Sequence, residues 1–338
     1  MADKTLSSEP TPTPTQRLFR LLDNDRKDIG YVYLYALVTG LISLSLPLGI
    51  QAVFNLVSGG LVFSSVYLLI GLVILGVLVT GMLLVGQITL VEVLQQRVFV
   101  RAAFEFTYRL PRIRPEALSD HNPPELMNRF FDVLTIQKGM PKLLIDLTAA
   151  AVQILFGIIL LSAYHPVFIG FGAFTILIIY LICRLYGPGG VKTSLNESKY
   201  KYKVVAWLEE MASHLSEYSP HRSGSVDLLE PIDKMDDLVA GYISYRNAHF
   251  RVLKRFFYSG IAFKTLITGG LLILGTLLVV GREMSLGQFV AAELVIVLIT
   301  NSVDKLTSGI DTVFDMLTAV EKIGYVTDMP LTELSDEA

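Results

Sequence analysis

The sequence predicts an all-α membrane protein of six transmembrane helices, with long helical extensions on one side of the bilayer. Three observations carry this. Six apolar runs are each long enough to cross the hydrocarbon core, which takes about 20 residues of helix. The loops between them alternate between short ones almost free of charge and long ones rich in Lys and Arg. The composition agrees: 52% of residues are apolar and 17% charged, with a mean hydropathy of +0.54, too little charge to cover a soluble domain of this length.

Residues 1–15 are polar and rich in Thr and Pro (Pro10, Pro12, Pro14) and read as a disordered tail. From Gln16 to Ile29, Leu18, Phe19, Leu21 and Leu22 lie beside Arg17, Arg20 and Arg26, which suits an amphipathic helix on the inner surface. The first span is Tyr31–Val57, far longer than the apolar stretch of a signal peptide. Pro47 and Gly49 interrupt it, and the N–H that proline lacks predicts a kink or hinge.

The second span, Val66–Leu90, continues as unbroken helical sequence to about Arg109. At 1.5 Å per residue that helix is roughly 65 Å long against a core of about 30 Å, so about half of it projects from the membrane. Gly71, Gly76, Gly81 and Gly86 recur every five residues in it, a spacing that winds around a helix and marks no single face. The third and fourth spans, Leu143–Tyr164 and Val167–Leu185, are parted only by His165 and Pro166. Gly187-Pro-Gly-Gly190 then predicts a break at the inner end of the fourth span. Lys192–Arg255 is again rich in helix formers, interrupted mainly around Ser219–Gly224 and Pro231, and forms a second projecting hairpin. The fifth and sixth spans are Phe256–Val280 and Leu286–Val303.

Charge orients the bundle. Lys and Arg number five in residues 1–30, eight in 91–142 and eleven in 182–255. The alternate loops carry none in 58–65, none in 164–166 and Arg282 alone in 281–285. Positive charge gathers on the cytoplasmic side, which places both termini and both long hairpins inside.

Little in the chain points to catalysis. Cys183 is the single cysteine, so no intrachain disulfide forms. The five histidines (His121, His165, His214, His221, His249) have no second His or Cys three or four residues away, against metal binding. A net charge of −3 without a basic run points away from nucleic acid. Gly187-Pro-Gly-Gly-Val-Lys-Thr193 imitates a phosphate-binding loop, but Val191 stands where Gly must precede the Lys and the segment follows a membrane helix. Within the spans, Lys264, Asp304, Asp146 and Glu92 lie near the inner side, where pairing or snorkelling explains them. Glu293 lies deeper, roughly 10 Å below the outer surface, with Gln51 at a comparable depth and Asn55 nearer that surface.

Four local patterns coincide with a known family. Gly281-Arg-Glu-Met-Ser-Leu-Gly-Gln-Phe-Val-Ala291 is similar to the outer turn between spans five and six of type-1 ABC exporter transmembrane domains. Pro124-Glu-Leu-Met-Asn-Arg-Phe-Phe-Asp132 resembles the return helix after the first cytoplasmic turn. Ser198-Lys-Tyr-Lys-Tyr-Lys-Val-Val-Ala-Trp-Leu-Glu-Glu210 resembles the entry to the second, and Ala319-Val-Glu-Lys-Ile323 the exit from span six. The likeness runs over about residues 17–330, which makes 16–330 the transmembrane domain and 331–338 a tail or a linker to an absent ATPase domain.

The resemblance implies coupling helices at the hairpin tips that dock into nucleotide-binding ATPase domains. They fall near Arg114–Asp120 and Ala206–Ser213, with Arg114, Glu116 and Leu118 at the first and Trp207, Leu208, Glu209 and Glu210 at the second. It also implies a second transmembrane subunit, with a homodimer as the expected pairing, and a translocation path lined by Gln51, Asn55 and Glu293. ATP and Mg would be bound by the ATPase partner, with no cofactor in this chain, in a multi-pass protein of the bacterial inner membrane. Substrate is left open among peptide, protein, lipid and drug. An ATP-independent channel or carrier and a non-transporting membrane scaffold are the alternative functions.

Overall fold

The computed structural model describes residues 12–60, 64–118, 123–215 and 230–332. Residues 1–11 of the expected tail and 333–338 of the expected linker lie outside the described residues. Helix α1 (Pro14–Asp23) begins inside the stretch expected to be disordered. Thr13 caps it: its hydroxyl accepts from Gln16 N–H while the Gln16 side chain accepts from Thr13 N–H, so two otherwise orphaned donors are satisfied. The helix rests on the end of the last helix through buried Leu18 and through Arg17, which lies 3.1 Å from Glu321 and 2.6 Å from Asp328.

The first span is two helices, α2 (Arg26–Ser43) and α3 (Ser45–Ser58), broken at Leu44. The break falls just before Pro47, whose missing N–H leaves the Ser43 carbonyl without its helical partner. There the chain tightens, with Leu44 N–H bonding to Leu41 O at 3.2 Å. Helix α4 (Ser64–Arg109) holds the second span and its extension in one piece. Of its four regularly spaced glycines, Gly76 meets Ser45 and Gly86 meets Tyr35, while Gly71 and Gly81 face open space.

A short turn of helix (Leu110–Arg112) and α5 (Pro115–Leu118) form the first tip, and α6 (Pro123–Asn128) and α7 (Phe131–Pro141) return toward the membrane. One π-helical turn, Lys142–Leu147, joins α7 to α8 (Thr148–Tyr164). It follows directly on Pro141, where the ring has already cost the ladder a hydrogen bond.

Helix α9 (Val167–Ser213) corrects the sequence expectation of a break after span four, because it runs unbroken through Pro188. The glycines there serve close packing: a Cβ on Gly190 would lie 2.1 Å from the Phe314 ring. Thr193 Oγ1 donates back to the Gly189 and Gly190 carbonyls at 2.9 and 3.0 Å. Helix α10 (Glu230–Val280) returns to the end of the bundle away from the extensions, and a turn with Arg282 at φ 60° leads to α11 (Leu286–Thr327). Ser285 and Gln288 form the capping box that starts α11.

The last helix is the axis of the molecule. Half of its most apolar window is buried within the chain, against none of the corresponding window of α4. Toward the end away from the extensions, Phe168, Phe263, Ile267, Leu271, Ile296 and Ile299 form one core with α8, α9 and α10. Nearer the extensions, Val32, Leu94, Ile136, Met140 and Met316 form another with α2, α4 and α7. Leu68, Leu72, Leu75, Leu78 and Met82 of α4 remain exposed. An apolar face of that extent is not tolerated in water, and with six helices long and apolar enough to span, the chain is an integral membrane protein.

Candidate translocation path and coupling tips

At the end of the bundle away from the extensions, short polar contacts tie the spans together. Gln51 on α3 accepts a hydrogen bond from the Tyr164 hydroxyl at 2.7 Å, joining the first and third spans. Asn55, one turn on, sits against Gly287 of α11, where an added Cβ would fall 2.1 Å from its Oδ1. Glycine is therefore what lets α3 approach the start of α11. The two turns at that end are joined as well, His165 Nε2 lying 3.0 Å from Glu283 Oε2. Glu293 is half-buried on α11, and its Oε1 is enclosed without a hydrogen-bond partner among the described residues. An enclosed carboxylate oxygen left unpaired is costly. Among the described residues no hydrogen bond joins Glu293 to Gln51 or Asn55.

The charges expected near the inner side are paired. Lys264 and Asp304 meet at 2.8 Å between α10 and α11, Lys142 and Asp146 at 3.2 Å, and Gln96 donates to Glu92 at 3.0 Å.

Below them lies a polar network that the sequence did not announce. Thr193 bonds to His249 at 2.8 Å, and the other ring nitrogen of this buried histidine lies 3.2 Å from Asp311. Arg246 pairs with Glu197 at 3.1 Å, Ser194 with Thr318 at 2.8 Å, and Tyr202 donates to Asp132. The network borders a cavity of about 190 Å³ and links α7, α9, α10 and α11. Its partners are far apart in the chain. The local trace is a polar stripe on α9 (Ser194, Ser198, Lys201) at helical spacing, which shows a face and no partner.

The first tip is tied to the end of the described chain. Arg114 N–H donates to Pro330 O at 3.1 Å, its Nε donates to Leu331 O at 3.0 Å, and Thr332 N–H returns a bond to Arg112 O at 2.7 Å. Phe106, Ile113, Leu126 and Val326 close a small core beneath. Arg114 and Glu116 are exposed, whereas the Leu118 side chain and residues 119–122 lie outside what is described.

The second tip differs from expectation. Ala206–Ser213 is no separate helix but the last two turns of α9, and residues 216–229 lie outside the described residues. Trp207, expected as an exposed anchor, is 6% exposed. Its indole N–H reaches Pro231 O at 3.3 Å, and Lys234 Nζ caps the ring at 3.5 Å, so it holds its own hairpin together. Glu209 accepts a hydrogen bond from Asn128, and Glu210 lies 3.6 Å from Lys234. Leu208 is 51% exposed and stays free to meet a partner.

Six helices long and apolar enough to span, with α4 and α9 continuing well past their apolar runs, give the architecture of a polytopic membrane domain. The chain matches the ABC transporter transmembrane region over residues 29–213, more than half its length, and belongs to that family. No curated protein matches it. It is thus a membrane subunit of an ABC transporter, a transport domain that is not itself catalytic, in a family whose members pair with nucleotide-binding domains and dimerise.

Proposed function

We propose that this chain forms the substrate pathway of an ATP-driven exporter and is moved by a nucleotide-binding partner docked at its two tips. The observation that carries this is the continuity of α11. It runs unbroken for 42 residues, about 63 Å, and carries both Glu293, in its second turn, and Val326, against the first tip. A displacement at Ile113 or Arg114 therefore reaches the outer polar positions through one packed helix, since helices rock as units more easily than they bend. The alternation of basic and bare loops supports tips and described chain ends on the cytoplasmic side.

In this reading 16–330 is the transmembrane domain, Gln51, Asn55 and Glu293 line the outer path, and the working unit is a dimer, with two copies of this chain as the simplest form. Arg114, Glu116 and Leu118 offer one docking surface; Leu208, Glu209 and Glu210 offer the other, with Trp207 fixing its shape. ATP and Mg belong to the partner.

The test is co-reconstitution of the chain with its ATPase in proteoliposomes. ATP hydrolysis should rise in the presence of the chain and fall back with Leu208→Asp or Glu116→Lys. Hydrolysis indifferent to both variants contradicts docking at the tips. Glu293→Gln should alter transport without altering ATPase binding; unchanged transport removes its charge from the path.

A further inference from the structure

A groove of about 780 Å³ runs along the extension side of the bundle. Its walls are α9 from Pro188 to Lys199, α11 from Glu321 to Tyr325, Pro14 of α1, and Arg129 between α6 and α7. Its volume falls in the range typical of small-ligand sites. Four cations line it: Arg129, Lys192, Lys199 and Lys322. The single lining carboxylate, Glu321, is already engaged by Arg17 at 3.1 Å. Arg129 is only 6% exposed, with its guanidinium 4.4 Å from the centre of the Tyr325 ring. Among the described residues neither Lys192 nor Lys199 has a carboxylate within ion-pair distance. They lie seven residues apart on one face of α9, with Asn196 between them.

Of its apolar lining residues, Pro188 and Val191 lie nearest the apolar run of span four, and Leu195 lies one turn beyond Val191. The apolar run of span four ends at Leu185, and Lys192 lies about 10 Å further along the helix. That is within reach of the headgroup layer for a side chain that snorkels upward. A net positive groove with apolar lining residues nearest span four has the chemistry that recognises phosphate carried on a lipid.

We propose that this groove binds a phosphate-bearing anion, with the headgroup of an anionic phospholipid as the source its position favours. The full chain, purified in detergent, is offered phosphatidylglycerol or phosphatidylcholine and examined by native mass spectrometry, with inorganic phosphate as competitor. Phosphatidylglycerol should be retained preferentially. Lys192→Ala with Lys199→Ala should weaken retention by about fivefold per lysine, and the corresponding Arg substitutions should keep it. Emission of Trp207, the single tryptophan, should be unchanged in both variants if the fold is intact. Displacement of the lipid by millimolar inorganic phosphate supports the anion site and reassigns its source to a soluble phosphate. No preference for phosphatidylglycerol and no binding of phosphate overturns the proposal, as does a preference that survives in the double alanine variant.

Discussion

The two tips solve the same problem in opposite ways. The first gathers separate pieces of chain: the end of α4 with the turn after it, α6, and the segment from Val326, at the end of α11, to Thr332. The second is local, with Trp207 near the end of α9 bonded to Pro231 at the start of α10. A tip stitched to α11 moves with the axis of the bundle, whereas a tip closed on its own hairpin moves as a lever about the rest. The Asn128–Glu209 hydrogen bond is the described link that makes them neighbours.

That contrast breaks most sharply at Trp207. Trp207→Ala should cost about 3–5 kcal/mol of local stability, seen as faster hydrogen exchange in residues 200–213 and 230–238 with the first tip unaffected. Trp207→Phe should restore most of the protection. Leu126→Ala should cost about 2–5 kcal/mol and loosen both residues 106–113 and the end of α11, because one core holds both. Exchange confined to residues 123–130 would mean that the first tip is as local as the second.

A smaller effect sharpens the comparison. Asn128→Ala should uncouple the tips for about 1–2 kcal/mol, since one charge-assisted hydrogen bond near the surface is lost. A double-mutant cycle of Asn128→Ala with Glu209→Ala measures it. The smallest is Lys234→Ala, which removes an exposed ion pair and a cation–π contact worth about 0.5–1 kcal/mol. It is read as a shift in Trp207 emission.

The spans were legible because lipid imposes a length and a composition on each helix that the residues must show directly. The projecting helices were legible for a related reason: α4 carries helix formers on to Arg109 with no breaker after its apolar run. The breakers themselves misled. Gly187-Pro-Gly-Gly190 announces a stop when read locally, but Gly190 is small because Phe314 lies against it, 124 residues away in sequence. Pro47 acted where expected, one turn earlier in the chain.

The candidate sites were less legible. Trp207 beside Leu208, Glu209 and Glu210 looks like an aromatic anchor on a polar tip, and the sequence alone does not say that Pro231 and Lys234 cover it. The His249–Asp311 contact joins two helices through side chains 62 residues apart, so no spacing rule reaches it. Arg129 lay within a segment noted for its resemblance to a return helix, and its place on the wall of a basic groove came only from the packing of α9 on α11.

The central claim is that a nucleotide-binding partner drives this bundle through its tips, and the single tryptophan sits where that contact would be felt. The most direct measurement is Trp207 emission as the ATPase partner and then ATP are added to the reconstituted chain. The account predicts a saturable change on partner binding, a second change with ATP, and loss of both in Leu208→Asp. Emission unchanged by partner and nucleotide, alongside transport that continues without ATP, would contradict it.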